Sequence, residues 1–193
     1  MHVAETGYNV GFGAKKHFAT YDIVNKTPGL INFFSLAVGI YALIFDGLST
    51  KFLSASFLVL GIIGLYISFH DVKIDSYEEA AVKLTQLYNQ LRRLYGNVKA
   101  ATDDQMAQYI QELTDIESSY YQLGISKQIL FSDWYAHYKF FWQHQIDWVD
   151  EQKKFKFFRD KIPLSFMITV IAVVLLFICW RTELIDKACH IVH

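Results

Sequence analysis

The chain has 193 residues, 53% hydrophobic and 17% aromatic, with 19% charged, a net charge of −1 and two prolines. That composition excludes a disordered chain, a collagen-like chain and a basic nucleic-acid arm. A mean hydropathy of +0.19 is low for a membrane protein, but Asp, Glu, Lys, Arg and His are all missing from Thr27–Phe45, Phe52–Phe69 and Ile162–Trp180.

Residues 1–26 come first and are expected to be a cytoplasmic lead-in. AKKHFATYDIVNK from Ala14 reads as a short basic amphipathic stretch with Phe18, Tyr21 and Val24 on one side. It either lies at the membrane interface or is simply the helix entering the bilayer. Gly7, Gly11 and Gly13 ahead of Lys15 do not make a phosphate loop, because no Ser or Thr follows the lysine and no strand precedes it.

Residues 27–69 read as a two-span hairpin. An 18- or 19-residue helix is about 27–28 Å long, close to the roughly 30 Å hydrocarbon core. DGLSTK, Asp46–Lys51, is the only link between the runs, so both outer ends fall on one side. The polar lead-in argues against a cleavable signal peptide. Ser54, Gly61, Gly64 and Ser68 share one face of the second span, and Ser35 and Gly39 share one face of the first. Small faces admit close helix contact. They either pack the hairpin or line a narrow pore in an assembly, with selectivity weak or set at the mouths by His70, Asp71 and Lys73.

Residues 70–161 carry 12 basic and 14 acidic residues and no electrostatic footprint for nucleic acid. Three helices are expected. Ser76 with Glu79 suggests a capping box opening the first, which carries Leu84, Leu87, Leu91 and Leu94 and closes at Gly96. Thr102 with Gln105 opens the second, with Met106, Tyr109, Leu113, Ile116 and Tyr120 on its face and Gly124 at its end. These heptad-like faces suit an antiparallel pair or contacts between subunits. The third is expected to run from Ser126 toward Lys161 and to continue past Pro163 into the last span.

That third helix is crowded with rings. Phe131, Tyr135, Tyr138, Trp142 and Val149 are expected to pack on the other helices, with Phe155, Phe157 and Phe158 at headgroup level. Trp134, Tyr138 and Trp142 form a candidate interaction face toward a cytosolic partner. Asp133, His137, His144 and Asp147 would share another face, arranged to hold a metal or shuttle protons or merely solvated. No Glu-x-x-His or His-x-x-x-His pair supports the metal reading.

Ile162–Trp180 is expected to be a third span with Ser165, Thr169 and Ala172 as its small face, followed by an outward tail, 181–193. Cys179 and Cys189 are not placed to form a disulfide scaffold, and no nucleophile constellation occurs. Orientation follows from Lys15, Lys16 and Lys26 before the hairpin and Lys153, Lys154, Lys156, Arg159 and Lys161 before the last span, against Lys51 alone in the hairpin loop. The N-terminus and the central segment are therefore expected to be cytoplasmic.

The order of a basic lead-in, KKHFATYDIVNK (Lys15–Lys26), a tight hairpin, and LTQLYNQLRRLY (Leu84–Tyr95) resembles SLATT proteins, the two-transmembrane effectors associated with SMODS and SLOG domains. SKQILFSDWYAHYKFFWQHQIDW (Ser126–Trp148) ahead of a third span resembles a longer subgroup of that family. The resemblance implies a membrane effector of bacterial antiviral defence that permeabilises the inner membrane. Its partner would be a nucleotide second-messenger synthase or a reverse transcriptase, and no catalytic residues carry over. The extra span departs from the two-span pattern.

The sequence thus predicts an all-α membrane protein with a transmembrane hairpin, a cytoplasmic three-helix coiled-coil-like domain and a third C-terminal transmembrane helix. It is expected to be a non-enzymatic, cofactor-free homo-oligomer in the bilayer. A membrane scaffold that only recruits a cytosolic partner is the alternative.

Overall fold

A computed structural model describes residues 2–45 and 50–181. The fold is all-α, with no strand among these residues. Residues 46–49 of the hairpin loop, and the tail with Lys187 and Cys189, lie outside the described residues. The chain divides into two compact units, 1–153 and 154–193.

The first unit is organised by α1, His2–Ile44. Its 43 residues make a helix about 65 Å long, twice what a bilayer needs. The second half is apolar and exposed, with Leu30, Phe33, Phe34 and Leu36 all facing outward. The first half is the centre of a helical bundle: Ala4, Thr6, Gly7, Val10, Gly11, Ala14, His17, Ala19, Thr20 and Val24 are buried. These positions run around the helix because α1 is packed by several partners, chiefly α3 and α5. Residues 2–26 are thus a core helix continuous with the first apolar run, not a stretch lying along an interface.

Small residues make that centre possible. A Cβ added at Gly7 would collide with Trp148 Cη2, and one at Gly11 would sit 2.6 Å from Tyr88 Cδ2 and 2.9 Å from Phe140 Cε2. The glycines that fail as a phosphate loop are where three rings bear directly on the α1 backbone.

The second apolar helix, α2, spans Lys51–Asp71 and is capped by Thr50, whose Oγ1 accepts from Leu53 N–H at 3.3 Å. Both α1 and α2 are long and apolar enough to cross a membrane. Only Val72 and Lys73 separate α2 from α3, Ile74–Ala100. Thus α3 starts before the Ser76–Glu79 pair: Ser76 Oγ donates to Lys73 O at 2.6 Å, and Glu79 pairs with Lys83 instead. Gly96 is an exposed interior position rather than the helix end. The buried face of α3 carries Tyr77, Ala81, Leu84, Tyr88, Leu91 and Leu94.

After a 3-10 turn at Asp103–Gln105 comes α4, Met106–Leu123, opened by the Thr102–Gln105 capping box and ended before Gly124, as expected. The continuous third helix of the sequence reading is replaced by α5, Ser132–Gln143, and α6, Asp147–Lys153. The break is tertiary in origin. Tyr88 Oη donates to Gln145 O at 2.9 Å, which gives that backbone carbonyl a partner, and Arg92 Nη1 donates to Gln145 Oε1 at 2.9 Å, which holds the side chain. Buried side chains in this region include Ala136, Phe140, Phe141, Trp148 and Val149. Phe131, Tyr138 and Trp142, expected to pack inward, face out instead.

In the second unit, a π-turn at Phe157–Lys161 precedes α7, Leu164–Arg181. Lys156 N–H donates to Asp160 Oδ2 at 2.8 Å, and Arg159 pairs with the same carboxylate. Phe157 and Phe158 are exposed. The apolar stretch of α7, Leu164–Cys179, is shorter than the two candidate spans.

Candidate functional site at the base of the hairpin

The bundle meets the apolar hairpin at the eight residues between α4 and α5, Gly124 to Phe131. An irregular segment there must find partners for its backbone groups outside itself. Each adjoining element supplies one. From α1, His17 Nε2 accepts Ile125 N–H at 3.1 Å, and Thr20 Oγ1 donates to Gln128 Oε1 at 2.5 Å. Gln128 Nε2 in turn donates to Ile125 O at 2.7 Å. From α3, Tyr77 Oη donates to Lys127 O, and from α2, Tyr66 Oη accepts Leu130 N–H at 3.2 Å. Below these bonds Val24, Ile67 and Ile129 form a buried cluster with Ile23, Ile31 and Ile74 packed against it.

The geometry fixes the His17 tautomer. Its Nδ1–H donates to Gly13 O at 2.7 Å while Nε2 accepts, so the ring is neutral. Burial pulls its pKa below the ordinary histidine value and Lys16 adds to that, against the raising effect of the Gly13 bond.

One turn before the first apolar run, Asp22 accepts from Lys139 of α5 at 2.5 Å and from Lys26 at 2.6 Å. The Asp22 and Lys139 side chains are only 13% and 16% exposed. Burial opposes the charge on Asp22, but the two lysines outweigh it and hold the carboxyl below its usual range. Lys16 pairs with Asp133 at 2.8 Å. The α1–α5 seam is therefore held by two ion pairs N-terminal to the first apolar run, and breaking the more buried one by removing a single partner costs more.

The small-residue faces named from sequence are placed differently. Gly39, Gly61 and Gly64 have nothing within 4 Å of an added Cβ, so they do not pack the hairpin within the chain. Ser54 Oγ and Ser68 Oγ donate to carbonyls of their own helix, those of Thr50 and Leu65. On α7, Thr169 Oγ1 donates to Ser165 O at 2.8 Å, and Ala172 is exposed; Ser35 of α1 is half-buried. Tyr138 and Trp142 are 51% and 60% exposed, with Trp134 half-buried beside Phe131.

The His and Asp set does not converge. The break after Gln143 separates His144, whose ring packs on Tyr88 at 4.5 Å, from Asp133 and His137, whose ring packs on Phe12 at 4.8 Å. No group of three or more His, Cys, Asp or Glu able to hold a metal occurs among the described residues.

Sequence reading missed Tyr66, Tyr77, His17, Thr20, Gln128, Asp22 and Lys139. Asp22 carried a local signal, its i,i+4 spacing to Lys26; the bonds that tie the connector to α1, α2 and α3 join positions distant in the chain.

Compared with known proteins, residues 1–170 match the family model described as SMODS and SLOG-associating 2TM effector domain 6. No curated protein and no solved structure matches the chain.

Proposed function

Because the chain belongs to the SMODS and SLOG-associating 2TM effector family, domain 6, we propose that this membrane effector acts in bacterial antiviral defence of the abortive-infection type. Copies assemble through their hairpins and open a pore in the inner membrane when a partner or a nucleotide signal acts on the bundle. The partner is a cytosolic sensor or signal-making enzyme, and the effector itself is non-enzymatic and needs no cofactor. The observation that carries this reading is the open space over Gly39, Gly61 and Gly64. Glycines inside apolar helices lower helix propensity without filling any gap in this chain, which fits close approach by helices of other copies.

The N-terminus and bundle lie on the cytoplasmic side, where the lysines before α1's apolar run and the basic cluster Lys153–Lys161 concentrate. The α7 helix is a third membrane helix that delivers the tail outward. The hairpin and bundle then share one helix, α1, which runs on through Pro28, so a change in bundle packing around residues 2–24 reaches the first span with no intervening loop, and Pro28 is the point where the helix can bend.

Membrane potential in cells, followed with a voltage-sensitive dye after induction, tests this. Depolarisation by the wild-type chain, reduced or lost in Gly61→Leu/Gly64→Leu, is expected. A second reading is favoured by the exposure of Tyr138 and Trp142 over a buried Phe140–Phe141 layer: the chain is a scaffold that recruits a partner through that face. It predicts an unchanged potential, and co-purification lost on Trp134→Ala/Trp142→Ala.

A further inference from the structure

The α4–α5 turn does more than join two helices. Ile129 is buried, but the next two residues, Leu130 and Phe131, are 60% and 53% exposed. Phe131 sits at φ 66°, ψ 0°, a left-handed conformation unfavourable for a bulky side chain. Strained backbone persists where the surroundings fix it, and here Ile129 in the isoleucine cluster and the Tyr66 bond to Leu130 N–H fix it from one side.

The depth of this turn follows from its partner. Tyr66 lies four residues before His70, the first ionisable residue after the second apolar run, so the α2 backbone that carries the acceptor of Leu130 N–H is about 6 Å inside that boundary. That is the depth at which amphipathic surface elements enter a bilayer, roughly 5–10 Å. A backbone N–H at that depth needs a protein acceptor, and the Tyr66 hydroxyl is one.

Beside the turn lies an open groove of about 330 Å³, lined by Ile23 and Thr27 of α1, Ile63 and Tyr66 of α2, and Leu130 and Phe131. Its walls are continuous with the exposed apolar surface of both spans, including Leu30 and Phe69. Lys73 follows α2 and Lys127 precedes Ile129, both exposed, and Lys26, which pairs with Asp22 but keeps most of its side chain exposed, adjoins Thr27. Apolar walls opening onto the spans, with ammonium groups near them along the chain, match a phospholipid: chain in the groove, phosphate among the lysines.

We propose that the Ile129–Phe131 turn is a membrane-dipping wedge that, with the hairpin base, holds one acyl chain of a bilayer phospholipid. The wedge places lipid contact at the point where α5 is tied to α1 by Asp22 and Lys139. The inference rests on the reading that α1 and α2 span the bilayer, and the controls below separate the two.

The test uses the full chain with Cys179→Ser and Cys189→Ser, reconstituted in phosphatidylethanolamine–phosphatidylglycerol vesicles. Single cysteines at Leu36→Cys, Tyr121→Cys, Leu130→Cys or Phe131→Cys carry an environment-sensitive fluorophore. The probes are aqueous iodide and lipids bearing a nitroxide high or low on the acyl chain. Labels at 130 and 131 should be quenched several-fold more by the high nitroxide than by iodide, the label at 36 by the low nitroxide, and the label at 121 by iodide alone. In native mass spectra, one phospholipid should stay with the parent chain and be lost on Thr27→Trp, which fills the groove. If labels at 130 and 131 respond to iodide as the label at 121 does while position 36 is in lipid, the wedge is refuted and the spans stand. If position 36 is also in water, the spanning reading falls and the wedge falls with it. A disulfide linking two unlabelled copies of the Phe131→Cys variant, or equal lipid retention in Thr27→Trp, overturns the lipid as occupant.

Discussion

Substituting Gly11 by alanine adds one methyl group at the most crowded point of α1. Its Cβ would lie 2.6 and 2.7 Å from Tyr88 Cδ2 and Cε2 and 2.9 Å from Phe140 Cε2, against about 3.5–4.0 Å for relaxed carbon contacts. Two fully buried rings must retreat by about 1 Å each. Overpacking of this kind costs about 1–3 kcal/mol. Moving Tyr88 also weakens its 2.9 Å bond to Gln145 O, about 1 kcal/mol more. Alanine returns about 1 kcal/mol in helix propensity, so the net loss is about 1–3 kcal/mol. The same change at Gly96, inside α3 with nothing within 4 Å, meets no obstacle and should stabilise by about 0.5–1 kcal/mol. For a chain of this size 1 kcal/mol moves Tm by about 2–4 °C. Near-UV circular dichroism of the full chain in detergent, followed with temperature, should show Gly11→Ala melting several degrees below wild type and Gly96→Ala slightly above it. A neutral Gly11→Ala would refute the buried-centre role of α1, and a destabilised Gly96→Ala would mean that Gly96 terminates its helix.

Three further outcomes are expected. Asp22→Asn leaves Lys139 largely buried without its counter-charge and should cost about 2 kcal/mol; adding Lys139→Met should restore most of it, which a double-mutant cycle in thermal unfolding measures. Burial, with Lys15 and Arg92 nearby, lowers the His144 pKa to about 4. Between that value and the ordinary 6.5 the unfolded chain binds more protons, so this contribution is intact above about pH 6.5 and is lost as pH falls toward 4. Unfolding curves across this range should show His144→Gln with a shallower pH dependence than wild type. Thr102→Ala removes the capping box of the 3-10 turn that leads into α4 and should cost about 1 kcal/mol, read as faster amide hydrogen exchange at the start of α4 with α3 unaffected.

Features written in local chemistry were legible in the sequence. The uncharged runs mark α1's second half and α2, the short DGLSTK link implies a hairpin, and Thr102, Gln105 and Gly124 bracket the α4 region as helix-end chemistry requires. Features set by distant contacts were not. The buried positions of residues 2–24 cover most of the helix circumference, leaving His2, Glu5 and Asn9 exposed, so they show no narrow apolar stripe and read as a surface lead-in. Gly7 and Gly11 are intelligible only once Trp148, Tyr88 and Phe140 are placed against them. The break between α5 and α6 contains neither Gly nor Pro; it is imposed by Tyr88 and Arg92 bonding to Gln145, 57 and 53 residues away. The connector at the hairpin base was missed for the same reason, since its acceptors and donors come from three separate helices.

The central claim is that the hairpin permeabilises a membrane under restraint by the bundle, and ion flux from proteoliposomes holding the full chain measures it directly. Asp22→Asn, which loosens α5 from α1 beside the membrane entry, should leak faster than wild type, and adding Gly61→Leu/Gly64→Leu should abolish that leak. Vesicles that stay sealed with every variant, or an Asp22→Asn leak untouched by the two glycine substitutions, would contradict the account.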